Sequence, residues 1–190
     1  MSPLFYERGS DDLPRAWIAL MKQSMKHLCP SFNTNRMVHD YTTRYYLPAM
    51  DRYERLSEND FERAKGLANY QERVHQNWSQ VQFIDIKPSI SGNVPVGSRF
   101  AVHVWLTLGP IKPEEVSVQL YHGPIGVAGQ IERAGVVNMD FAGTEDDGSH
   151  HYVGPCPCLY TGLYGCSVRV LPRHEDLVQP FQNGLILWSK

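Results

Sequence analysis

The hydrophobic period of this chain changes once, near Ser79, and that change limits what the chain can fold into. Upstream of it, apolar residues recur at helical spacing. Leu13, Trp17, Leu20, Met21, Ser24 and Leu28 line a first face, and Met37, Val38, Tyr41, Tyr45 and Leu47 a second. Phe61, Ala64, Leu67, Ala68, Gln71, Val74 and Trp78 line a third. From Val81 the period is two, most clearly in Phe100-Ala-Val102-His-Val104-Trp-Leu106-Thr-Leu108. One chain cannot satisfy both periods with one kind of element, so the sequence predicts an α+β protein: a helical segment over 1–79 and a β domain over 80–190.

Punctuation supports about three helices. Asp12 is placed as an N-cap with Pro14 in the first turn. Pro30 ends that helix, and Asn33, Thr34 or Asn35 can cap the next. Pro48 is expected to kink or end the second, and a third begins near Ser57 with Asp60 completing a weak capping box. In the β part, Val81–Phe83, Val116–Leu120, Val136–Phe141, Ser149–Val153, Leu163–Leu171 and Leu185–Trp188 join the long strand at Phe100–Leu108. Roughly seven short strands with no helical crossovers between them predict an antiparallel, immunoglobulin-like β-sandwich. Tyr164, two residues before Cys166, stands where a tyrosine corner would, or is simply a tyrosine in a strand. Residues from Val81 onward are expected to fold alone.

Composition narrows the function classes. The 18 Lys+Arg against 20 Asp+Glu leave a net charge of −2, so no overall basic field exists to attract nucleic acid or an anionic membrane. The apolar runs fall short of the roughly 20 residues a membrane span requires. The N-terminal MSPLFYERGSDD has no charged region followed by an apolar stretch, as a signal peptide would. The expected setting is the cytoplasm, with the four cysteines as thiols.

Candidate chemistry is sparse. Cys156-Pro157-Cys158, Cys166 and His150-His151 could be read as a metal site, but Cys-Pro-Cys does not readily wrap one zinc, and small core thiols are the plainer reading. Glu145-Asp146-Asp147-Gly148 is a loose match to a calcium loop and a better one to a solvated hairpin turn. Arg36, His39, Thr43 and Arg44 with Tyr41, Tyr45 and Tyr46 could contact phosphate or sugar hydroxyls, or stitch the helix to a neighbouring domain. Trp105, Tyr121, Tyr160 and Trp188 could form a sugar-stacking platform, although inward packing is the default for strand aromatics. No catalytic, cofactor-binding or metal-binding residue is assigned.

A family resemblance adds more. Pro3-Leu4-Phe5-Tyr6, Leu13-Pro14-Arg15-x-Trp17-Ile18 and Met21-Lys22-x-Ser24-Met25 resemble the C-terminal region of α-glucan phosphorylases. So do Leu28-Cys29-Pro30-x-Phe32-Asn33-Thr34-Asn35-Arg36-Met37-Val38-x-x-Tyr41 and Tyr45-Tyr46-x-Pro48-Ala49. Val116-x-Val118-Gln119-Leu120-Tyr121-x-Gly123-Pro124 and Gly162-x-Tyr164-Gly165-x-Ser167-Val168-Arg169-Val170-Leu171-Pro172 are similar to the β-rich tail of the short bacterial and archaeal type. The resemblance implies a parent enzyme that phosphorolyses α-1,4-glucan to glucose 1-phosphate. It also implies pyridoxal phosphate on a lysine and two Rossmann-like domains around the active site.

The family's Ser-Gly-Thr-rich cofactor segment, with its Met-Lys and following Asn-Gly, has no counterpart here and would precede Met1. Met21-Lys22 lacks both flanks. The chain is therefore expected to be a C-terminal fragment, inactive alone and without cofactor. Its helices would pack on the Rossmann-like domains, and its sandwich would serve as an accessory domain. The alternative is a sandwich that binds α-glucan or assembles subunits. An exposed, coplanar aromatic pair would favour glucan binding. Trp17, Leu20, Met21, Met37, Tyr41, Tyr45 and Tyr46 are too many for three short helices to bury against one sandwich face, so exposure of these side chains is the signature of a docking surface.

Overall fold

The computed structural model describes residues 3–90, 92–181 and 183–189, and the chain divides into two compact units, Met1–Arg63 and Ala64–Lys190. In the first unit a 3-10 turn at Pro3–Phe5 precedes α1 (Arg15–Leu28). Then α2 (Thr34–Tyr41) runs through a π turn at Thr42–Tyr46 into α3 (Leu47–Asn77), which continues into the second unit. Asn33 is the cap of α2: its side chain accepts from the Arg36 amide at 2.9 Å and donates to the Cys29 and Pro30 carbonyls.

Three helix signals resolve differently from expectation. Asp12 does not cap α1, because its φ of 56° is left-handed whereas an N-cap needs extended backbone. Pro14 occupies that position without a side-chain cap, and Asp11 pairs with Arg15 instead. Pro48 does not end its helix. It is the second residue of α3, just past a π turn in which the Leu47 amide reaches the Thr42 carbonyl. The wider turn makes room for the ring whose missing donor would otherwise break the ladder. The described residues thus hold two helical stretches rather than about three, the second of them broken at Glu58–Phe61. The start expected near Ser57 shows instead as an interruption inside α3: Glu58 is extended, and Asn59, Asp60 and Phe61 are left-handed. Asn and Asp tolerate that conformation; Phe61 is held there against a cost of about 1–2 kcal/mol.

The second unit holds two four-stranded antiparallel sheets. The strands are β1 (Gln82–Pro88), β2 (Arg99–Thr107), β3 (Val116–Pro124), β4 (Gly135–Asn138), β5 (Asp140–Thr144), β6 (His150–Pro157), β7 (Tyr164–Pro172) and β8 (Leu187–Trp188). One sheet runs β1-β2-β6-β5 and the other β4-β3-β7-β8. Alternation puts Val102, Val104, Leu106, Tyr152 and Cys156 of the first sheet into one core with Val116, Val118, Leu120, Val168 and Val170 of the second.

The stretch Val136–Phe141 is not one strand. Its first part pairs with β3 and its last part with β6, and the switch between sheets occurs at Met139, which is buried and donates its amide to the Val118 carbonyl. From α3, Leu67, Tyr70 and Val74 complete the same core. Val74 has no exposure at all, while Ala68, expected on the buried stripe, is exposed and Tyr70 takes its share of that face.

Candidate functional site

Neither α1 nor α2 buries a single residue. Leu20, Met21, Met37, Tyr41, Tyr45 and Tyr46 are all about half exposed or more, Tyr46 most of all at 63%. Trp17, half-buried, meets Phe5 edge-on at 5.9 Å. The π turn shapes this surface. An i→i+5 turn brings Tyr46 alongside Tyr41, and the rings lie 6.4 Å apart at 23°, with Tyr45 5.9 Å from Tyr41. Arg36 is engaged by Asp40 at 2.9 Å, and the Thr43 hydroxyl donates to the His39 carbonyl at 2.8 Å. What results is a half-exposed aromatic and methionine face, with Arg36 already paired to Asp40 and Arg44 within the π turn.

The four aromatics considered as a platform do not meet. Because Val104 and Leu106 face inward, Trp105 faces outward on the first sheet, where it stacks on His151 at 4.6 Å and 3°. Its indole donates to Glu145 at 3.2 Å, and His103 Nδ1 lies 3.0 Å from His151 Nε2. Tyr121 and Trp188 are on the outer face of the second sheet, 5.3 Å apart and nearly perpendicular at 88°. The Arg169 guanidinium fills the angle, 5.7 Å from Tyr121, 5.4 Å from Trp188 and 5.3 Å from Phe181, and it donates to Gln119 at 2.9 Å. Tyr160 stands apart in the β6–β7 connection. The inward packing expected of Trp105 and Tyr121 is overturned by strand parity. Arg169 as the centre of an aromatic cluster was not foreseen, since its partners come from three separate segments.

A cavity of about 730 Å³ opens in the second unit. Glu114, Asp140, Arg173 and His174 supply its charge and polarity, and Phe141 and Tyr152 an aromatic wall. It too draws on distant segments, and the sequence carried no signal of it.

The cysteine and histidine candidates scatter. His150 and His151 are successive strand residues and face opposite ways: His151 joins the Trp105 stack, whereas His150 bonds Thr144 at 3.0 Å. None of the four cysteines is paired in a disulfide. Among the described residues no group of three or more His, Cys, Asp or Glu could hold a metal ion. Glu145–Gly148 forms the β5–β6 hairpin turn. The Gly148 amide donates to the Glu145 carbonyl, and the hydroxyl and amide of Ser149 hold the Asp147 carboxyl below the usual carboxylate range. Tyr164 turns its hydroxyl to buried His122, 2.8 Å from Nδ1, and lies against the Leu159 backbone upstream. Burial pushes the His122 imidazole down, toward its neutral form. Among the described residues no helix is long and apolar enough to cross a membrane.

Residues 78–190 match the family described as "Glycogen phosphorylase C-terminal domain". The glycogen phosphorylase of Mycobacterium tuberculosis is 30% identical over 193 residues, covering 98% of this chain and 22% of that protein. The maltodextrin phosphorylase of Thermococcus litoralis is 27% identical over 190 residues, 98% of this chain and 21% of its own length. The glycogen phosphorylase of Aquifex aeolicus shares 41% identity over 44 residues, 23% of this chain and 6% of that protein. The chain thus spans about a fifth of the length of the first two relatives.

Proposed function

The chain belongs to the glycogen phosphorylase C-terminal domain family, and from that premise we propose that it is the C-terminal portion of an α-1,4-glucan phosphorylase, structural rather than catalytic. In this reading the helical segment, 1–79, docks on Rossmann-like catalytic domains of a cytoplasmic enzyme through the surface of α1 and α2, and 80–190, with the end of α3 in its core, is an immunoglobulin-like accessory sandwich. The parent enzyme transfers a glucosyl unit from the non-reducing end of the glucan to inorganic phosphate. The observation that supports docking most strongly is the half-exposed aromatic and methionine surface of α1 and α2, which bury no residue.

Pyridoxal phosphate, which supplies the phosphate group for proton transfer in such enzymes, does not fit the residues present. The large cavity is lined by no lysine, the residue that would have to carry it. Glucan binding by the sandwich is the less supported alternative, because Tyr121 and Trp188 cross at 88° around Arg169 and present no flat face to a sugar ring.

Two assays on the 190-residue chain test the reading. Pyridoxal phosphate followed by borohydride traps no lysine adduct, and maltodextrin with phosphate yields no glucose 1-phosphate. Stoichiometric trapping together with turnover contradicts it. In a reading frame extended upstream to include a Ser-Gly-Thr-rich lysine segment, both activities are expected.

A further inference from the structure

The chain passes from the first sheet to the second through residues 158–163, and a cysteine stands on each side of that passage: Cys156 at the end of β6 and Cys166 at the start of β7. On β6, Tyr152, Gly154 and Cys156 alternate into the core; on β7, Val168 and Val170 face the core, and Cys166 shares their parity. Both thiols therefore face the space between the sheets at the same end of the unit. The two thiols bias each other's ionisation, Cys156 upward and Cys166 downward. Cys156 is fully buried, whereas Cys166 is open to solvent.

We propose that Cys156 and Cys166 form a dithiol that hydroperoxides oxidise to a disulfide joining the two sheets, and that thiol reductants reopen. The two residues divide the roles by accessibility. Cys166, at the surface, meets the oxidant; Cys156, shielded from it, resolves the product. The Cys166 thiolate attacks one oxygen of the hydroperoxide, the O–O bond breaks, and the departing oxygen leaves as alcohol, or as water from hydrogen peroxide. Cys166 is then a sulfenic acid. The Cys156 sulfur attacks it, the S–S bond forms, the S–O bond breaks, and hydroxide leaves with the Cys156 proton as water. Two thiols and one hydroperoxide thus give one disulfide, one alcohol and one water. The neighbouring Cys156 thiol favours the first step, since it holds the Cys166 thiol below its ordinary value. Cys158, one residue past the end of β6, is also buried.

The test treats the folded 190-residue chain with hydrogen peroxide, blocks residual thiols with N-ethylmaleimide and maps the peptides without reduction. Loss of two of the four thiols is expected, with a linked peptide pair joining Cys156 to Cys166 that dithiothreitol releases. Cys166→Ser, a change at an exposed position, abolishes the link, while Cys29→Ser leaves it unchanged. Circular dichroism on both variants confirms that loss of the link is not loss of fold. Overoxidation of Cys166 to sulfinic acid without a link, a link made through Cys158, or a link that forms only in urea would each overturn the proposal.

Discussion

Glu115 does more for the second unit than any pattern in the sequence suggested. Its carboxylate takes two hydrogen bonds from Arg73, one at 3.0 Å, and a third from the Lys112 amide at 2.9 Å. Its carbonyl accepts from the Tyr70 hydroxyl at 3.0 Å and from the Arg173 amide at 2.8 Å. Burial works against ionisation here, but the Arg73 and Lys112 bonds outweigh it and hold the carboxyl below its ordinary value. A depressed folded value contributes stability above the unfolded value of about 4.3, and that contribution is lost as pH falls through the folded one. Glu115→Gln should therefore lower the urea midpoint at pH 7 by the equivalent of about 1 kcal/mol, a figure kept small because Arg73 is partly exposed. Below the folded value the wild-type carboxyl is protonated too, and the two midpoints should converge. A difference that persists there would mean that the amide disturbs packing rather than charge. The pair was illegible in the sequence because its members are 42 residues apart and each alone looks like a surface charge.

At the scale of elements, the C-terminal half of α3 is part of the sandwich core. Leu67, Tyr70 and Val74 are buried there with Val81 and the strand residues. Burying each such side chain is worth about 1.5–3 kcal/mol, so removing all three costs on the order of 5 kcal/mol, comparable to the whole stability of a small domain. The sandwich expected to fold alone from Val81 should accordingly need that half-helix. Residues 64–190 are expected to give a dispersed amide spectrum and a cooperative thermal transition, and residues 81–190 a lower midpoint or none. Equal midpoints would show that the half-helix is an ornament.

Strands such as β2 and β3 were legible because a two-layer sheet demands strict alternation, and their sequences supply it. The crossing at Met139 was not, since the alternation continues unbroken while the hydrogen-bond partner changes sheet. The interruption at Glu58–Phe61 was half legible: the cap signal near Ser57 marked the place, but not that the chain would pass through left-handed residues and resume.

For the molecule as a whole, the exposed helical surface and the two aromatic clusters on opposite sheet faces point one way. The sandwich has satisfied its own core, and the first unit has not covered its apolar side chains. Family membership and the exposure of the helical aromatics were legible in the sequence, because a long aromatic and basic pattern runs through it. The cavity and the Arg169 cluster were not, because both are assembled from distant segments.

Hydrogen exchange on the 190-residue chain at two concentrations tests the docking claim most directly. With nothing buried in α1 or α2, their amides should exchange quickly at low concentration, far ahead of those in β2 and β3, and gain protection only as concentration rises and a second copy covers them. Protection of α1 and α2 equal to that of the central strands, and unchanged on dilution, would contradict a surface built to be covered by another domain.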